Sequence, residues 1–157
     1  MHDAVTDFLS TSHPCLLLVH PEIRTLERAA GELVSAYAWP RLSLGRELCA
    51  VLLSETSPLR SRAARQWMKA RLGEMAPGPV LCSEIDLLFE PALELDPLGL
   101  LCDVGRLTRL VVTWPGTYQG DVLAYAVPGH SHYRTWRKPG VPIVELICSI
   151  LCPVQGS

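Results

Sequence analysis

The stretch Cys15-Leu16-Leu17-Leu18-Val19-His20-Pro21-Glu22-Ile23-Arg24-Thr25-Leu26 decides the fold. Cys15 to Val19 is an unbroken apolar run between Pro14 and His20-Pro21. Such a run reads as a strand buried on both faces, the habit of parallel sheets. The period then changes. Leu26, Ala29, Ala30, Leu33, Val34 and Tyr37 fall on one helical stripe, with Arg24, Glu27, Arg28 and Glu32 on the wet side. Pro21 suits the entry to that helix. Strand, turn and amphipathic helix in this order are the opening of a β-α-β unit.

Working outward, the same alternation continues. Toward the N-terminus, Val5, Phe8 and Leu9 share a face of a short helix that His13-Pro14 ends. Toward the C-terminus, Pro40 to Leu44 reads as a short second strand, and Arg46–Leu53 and Leu59–Leu72 as helices. Ala76-Pro77-Gly78-Pro79 is a hard stop before a third strand, Val80 to Cys82. Leu98–Leu107 reads as a helix. Leu110–Trp114 is a fourth buried strand stopped by Pro115-Gly116, and Val122–Val127 a fifth stopped by Pro128-Gly129. Ile143, Ile147 and Leu151 favour a closing helix over Ile143–Leu151. The expected fold class is α/β: three layers, a mainly parallel central sheet, one domain over residues 1–157.

Composition agrees with a globular domain. The 157 residues are 48% hydrophobic and 19% charged, with 14 Lys+Arg against 16 Asp+Glu and a net charge of −2. That balance excludes a disordered or collagen-like chain and argues against a surface that coats nucleic acid. Arg62, Arg65 and Lys69 form a basic stripe at helical spacing. It is read as a solvated helix face, with no sequence-specific nucleic-acid contact expected. The longest apolar candidate for a membrane span, Val141–Val154, is interrupted by Pro142 and Glu145. His2, Asp3 and Asp7 near the start, without a basic flank, give no secretory signal. The expected compartment is the cytoplasm, with the six cysteines as reduced, mostly core thiols.

Ligands of a parallel α/β sheet bind at the carboxyl ends of its strands. A nucleotide-binding chain would carry a glycine-rich loop, a lysine and a hydroxyl after the first strand. Here His20 to Leu26 offers no glycine, Pro21 lacks an N–H, and Glu22 repels phosphate. Arg24 is the only stand-in for the lysine, and Thr25 for the hydroxyl. An ATPase would carry Asp-Glu after the third strand; this chain has Ser83-Glu84, with Asp86 two residues on. Thr113, near the end of the fourth strand, matches by position a residue that senses the γ-phosphate. The segment after the fifth strand, Pro128 to Arg137, is the densest in functional side chains. His130 and His132 suggest a metal pair, but no further zinc-ligand motif accompanies them, and no metal is expected.

The segments Leu16–Val19, Val80–Phe89, Leu95–Leu98, Val111–Tyr118 and Leu123–His130 with Tyr133-Arg134 together resemble a known family. It is BrxF, the small P-loop-containing protein of prokaryotic type-3 BREX phage-defence systems. The most specific carriers are Trp114-Pro115-Gly116 with Tyr118, followed by Tyr125-Ala126-Val127-Pro128-Gly129-His130 with Tyr133-Arg134. The resemblance implies a compact P-loop fold, a nucleotide site for ATP and Mg, and work beside a helicase-like ATPase, a DNA methyltransferase and a phosphatase-like protein. The chain departs from the family at the loop His20–Leu26 and at Ser83, both on the nucleotide.

The expectation is therefore a catalytically degenerate P-loop domain, an adaptor or regulator that binds other proteins of the system and needs no cofactor. His20, Arg24, Thr25, Ser83 and Thr113 mark the decayed nucleotide position. Trp114, Tyr118, His130, Tyr133 and Arg134 are expected to gather on one rim as a partner-binding motif. The competing expectation is a weak or unorthodox ATPase in which Arg24 and Thr25 hold ATP and Glu84 activates water. A structural role for the rim motif is the other alternative, with Arg134 paired to Glu84 or Asp86.

Overall fold

The structure, a computed structural model, describes residues 1–147. Five strands make a parallel sheet: β1 (Cys15–His20), β2 (Arg41–Ser43), β3 (Val80–Ser83), β4 (Leu110–Gln119) and β7 (Ile143–Glu145), in the order β2-β3-β4-β1-β7. The apolar runs predicted as strands are the central ones. Their residues alternate between two cores, so each run has to be apolar throughout.

One core lies beneath Cys15, Leu17, Val19, Val80, Cys82, Leu110 and Val112. It is closed by α3 (Leu44–Leu53), α4 (Arg60–Gly73) and α5 (Pro97–Gly105) through Leu48, Leu52, Ala64, Met68, Leu72 and Leu101. The opposite core joins Leu16, Leu18, Leu81 and Val111 to α1 (His2–Leu9) and α2 (Ile23–Tyr37) through Val5, Phe8, Ala29, Ala30 and Leu33. Helices thus cover both faces of a mostly parallel sheet. Arg109 fixes α1 there: its guanidinium donates to the carbonyls of Phe8, Leu9 and His13, which lie at and beyond the helix C-terminus, and stacks on the Phe8 ring.

Three expectations are corrected. First, β4 does not stop at Pro115-Gly116 but runs on to Gln119. Proline is tolerated because its missing N–H costs nothing on the edge where β3 has already ended: Cys82 and Val112 are the last residues paired between β3 and β4, while His20 of β1 still lies opposite Pro115. Second, the fifth strand is not a further parallel one. β5 (Val122–Tyr125) folds back antiparallel on β4, with Gly116 opposite Tyr125 and Gln119 opposite Val122, and β6 (Arg134–Arg137) adds antiparallel to β5. Gly120 and Asp121 connect β4 to β5 and both have positive φ, the requirement of a tight two-residue hairpin. Third, Ile143–Glu145 is a strand and not the start of a helix. It satisfies the free backbone edge of β1, where Leu17 also donates to the Pro142 carbonyl. Ile147, predicted for the helix's apolar face, is 86% exposed. The rest of that predicted helix, with Cys148 and Cys152, lies outside the described residues. No helix among the described residues is long and apolar enough to cross a membrane.

Candidate functional site at the carboxyl edge of the sheet

At the carboxyl edge the β4–β5 hairpin stands beyond β1 and forms one wall of a cleft of about 530 Å³. His20 and Pro21 form the floor, Gly116 to Asp121 the hairpin wall, and Glu145 with Leu146 the far side. This is the place where the resemblance puts a phosphate. The His20 Nδ1 accepts the Glu22 backbone N–H at 2.9 Å, so that amide is spent internally, and Pro21 has none to offer. The acceptor role leaves the free proton of a neutral His20 on Nε2. Asp121 and Glu145 bring two carboxylates into the lining, and neither lysine nor arginine lines it. The Tyr118 phenol donates to Asp121 Oδ1 at 3.4 Å. Partial desolvation, then the Asp121 carboxylate, then Glu145 hold that phenol above its usual range.

The other nucleotide-position residues lie elsewhere. Arg24 is exposed on the first turn of α2, outside the cleft lining. Thr25 is 8% exposed and faces a different hollow, with Val144, Leu146 and Ile147. Ser83 is fully buried, and its Oγ accepts from Arg41 Nε at 3.3 Å. Thr113, 4% exposed, donates to the Cys82 carbonyl at 3.5 Å across the β3–β4 pair. Glu84 takes the left-handed conformation (φ 55°), and its carbonyl accepts the Gly45 N–H at 2.9 Å, at the start of α3. That turn sends Glu84 into a second hollow of about 580 Å³ with Asp86, Glu90, Tyr125, His130 and His132. Arg24, Thr25, Glu84 and Thr113 therefore do not converge on one ligand-sized space.

The expected rim motif divides as well. Trp114 is not a surface residue: it is fully buried, and its indole N–H donates to the Ala124 carbonyl at 3.0 Å. It reaches there over Gly116, where a Cβ would overlap the Ala124 carbonyl oxygen and lie 3.2 Å from the indole nitrogen. Trp114 meets Phe89 and Trp136 edge to face, with centroids 5.1 and 5.3 Å apart, and Tyr125 stacks flat on Phe89 at 3.6 Å. These four rings fasten the hairpin to the short 3₁₀ turn Ile85–Phe89. Tyr118 lies in the first cleft and His130 in the second hollow, where its Nδ1 accepts the His132 N–H. Tyr133, 38% exposed, and Arg134 line a third hollow with Glu94, Leu95 and Asp96.

Arg134 does not pair with Glu84 or Asp86. It donates to the Leu95 carbonyl at 2.7 Å and lies over Trp136, 5.2 Å from the ring centroid. Asp86 instead accepts from the Tyr125 phenol. His132 stands 3.6 Å from Glu90. Among the described residues no group of three His, Cys, Asp or Glu is placed to share a metal ion.

Trp136 and Asp121 were not singled out by the sequence reading. Asp121 was legible: Gly120-Asp121 between Thr117-Tyr118-Gln119 and Val122–Tyr125 is a two-residue hairpin signal. Trp136 carried no signal, because its place depends on β6 pairing with β5. No protein-family model, curated protein or solved structure matches the chain.

Proposed function

We propose that the chain is a catalytically degenerate P-loop domain that serves as an adaptor or regulatory component of an anti-phage defence system of the BREX type. The observation that carries this reading is the cleft after β1. It lies at the carboxyl end of β1, but its lining holds Asp121 and Glu145 and neither lysine nor arginine. An anionic ligand there meets two carboxylates and no lysine or arginine to offset them. The strand order supports the P-loop reading: β4 lies between β1 and β3, so Thr113 sits between the two strand ends that would hold phosphate and metal. The separation of Glu84 from His20 supports the loss of activity.

With the nucleotide chemistry gone, the exposed side chains around the hairpin supply the partner surface. Tyr118, His130, Tyr133 and Arg134 are residue types suited to protein contacts, whereas Trp114 holds the hairpin from inside. The test is reconstitution with the helicase-like ATPase, the DNA methyltransferase and the phosphatase-like protein of such a system. One of them should co-elute with the chain on size exclusion. Tyr118→Ala and Tyr133→Ala should weaken that complex at least tenfold without lowering Tm. Failure of all three to bind, or unchanged binding by both variants, overturns the adaptor reading.

A further inference from the structure

Cys15 and Cys102 are 87 residues apart in sequence, yet their sulfurs lie 3.7 Å apart, one thiol donating to the other. The contact is built by the backbone. Cys15 opens β1 and is fully buried, and Cys102 sits half-buried within α5. The helix comes this close because Gly105, three residues after Cys102, has no side chain. A Cβ there would overlap the carbonyl oxygen of Pro14, the residue before Cys15. The two sulfurs need to approach by only about 1.7 Å to reach a disulfide bond length. No part of the proposed adaptor role uses this pair.

We propose that Cys15 and Cys102 are a reversible dithiol–disulfide pair, oxidised by a hydroperoxide. Cys102 is the attacking thiol and Cys15 the resolving one. The hydrogen bond from Cys15 holds the Cys102 thiol below its ordinary range, and the same bond with burial holds Cys15 well above its own. The Cys102 thiolate attacks one peroxide oxygen. The S–O bond forms, the O–O bond breaks, and the departing hydroxide takes a proton to become water. The Cys15 sulfur then attacks the Cys102 sulfenic sulfur, and the hydroxyl leaves with the Cys15 proton as a second water. Two thiols and one hydrogen peroxide thus give one disulfide and two waters. A reducing dithiol restores the pair by exchange. Cys82, near Cys15 on the same sheet face, is pushed up to about 12 by burial and stays a bystander. A disulfide here ties α5 to β1 and closes a loop of 88 residues, 15 to 102 inclusive.

The experiment uses the full chain at micromolar concentration, treated with hydrogen peroxide, quenched by alkylation under denaturing conditions and mapped without reduction. Cleavage at arginine and glutamate separates Cys82 from Cys102, because Glu84, Glu90 and Glu94 lie between them. The expected product is a cross-linked pair of peptides holding Cys15 and Cys102, two hydrogen masses lighter than the free thiols. Dithiothreitol should remove the link, and Tm should be higher in the oxidised form by about 5–15 °C. In Cys102→Ser, Cys15 should remain alkylatable. The wild-type map decides the matter even if that variant folds poorly. Cys15 recovered as a free thiol after oxidation, or Cys102 linked mainly to Cys49 or another cysteine, overturns the proposal.

Discussion

The phenol oxygen of Tyr125 lies 2.6 Å from Asp86 Oδ1, joining the second strand of the hairpin to the turn that follows β3. Tyr125 is 4% exposed while Asp86 is exposed, so the bond anchors a buried ring to a hydrated carboxylate. Removing the hydroxyl in Tyr125→Phe leaves the Phe89 stack in place and lets water solvate Asp86. The expected cost is about 1.5 kcal/mol, the low end for a bond to a charged group, or about 3–6 °C in Tm. Asp86→Asn should cost less, because the amide oxygen still accepts. Thermal melts of both variants check the order.

The fold should lose stability in alkali earlier than its tyrosines alone would dictate. Burial pushes the Cys82 thiol up to about 12 and holds Tyr125 above its ordinary range, and the bond with Cys102, then burial, holds Cys15 above its own. Above about pH 9 the unfolded chain releases thiol protons that the folded chain keeps, so unfolding is favoured as pH rises. Each such thiol contributes a slope of about 1.4 kcal/mol per pH unit between its unfolded and folded values. Denaturant titrations from pH 9 to 11 should show stability falling throughout. Cys82→Ala should have the shallower slope. A parallel slope in that variant would contradict the buried-thiol explanation.

Gly116→Ala should open the hairpin. The added methyl meets the Ala124 carbonyl and crowds the Trp114 indole, and both belong to a packed interior with no flexible end to yield. A cost of at least about 1–3 kcal/mol is expected, as for overpacking. Trp114 should become more polar in its fluorescence, because its carbonyl partner is displaced.

The stretch Cys15–Leu26 foretold β1 and α2 because burial on both faces leaves an unbroken apolar run and a helix leaves a stripe. The hairpin was less legible. Pro115-Gly116 carries the signal of a stop, and only pairing with β5 shows it to be a passage: the strand has outrun β3, and Gly116 makes room for Trp114. The same tertiary context turned Trp114 from an expected contact residue into core, since its indole partner is a carbonyl ten residues away. At Ile143 the helical spacing lost to an open strand edge, which no local pattern reveals. The separation of Glu84 from His20 was equally hidden, because it rests on the left-handed turn at Glu84 and its bond to Gly45.

The basic stripe of α4 is exposed at Arg62, Arg65 and Lys69, while Arg71 pairs with Glu47 and Glu74 and Arg60 bonds the carbonyls of Leu52 and Glu55. Two of the basic residues of this helix are thus committed to structure. Gel shifts at physiological salt should show no duplex DNA binding, and Arg62→Glu with Arg65→Glu should change nothing. A salt-dependent shift that the double variant abolishes would make the stripe a phosphate-binding face.

The most direct measurement of the central claim is a calorimetric titration of the full chain with Mg-ATP. A phosphate site stripped of its amide nest and lysine loses several charge-assisted bonds of about 1.5–3 kcal/mol each, and each 1.4 kcal/mol is about tenfold in affinity. The account predicts no saturable heat at micromolar nucleotide, and none gained by Glu145→Gln alone. Saturable micromolar binding, weakened by Arg24→Ala, would contradict it and make the chain a nucleotide-binding protein.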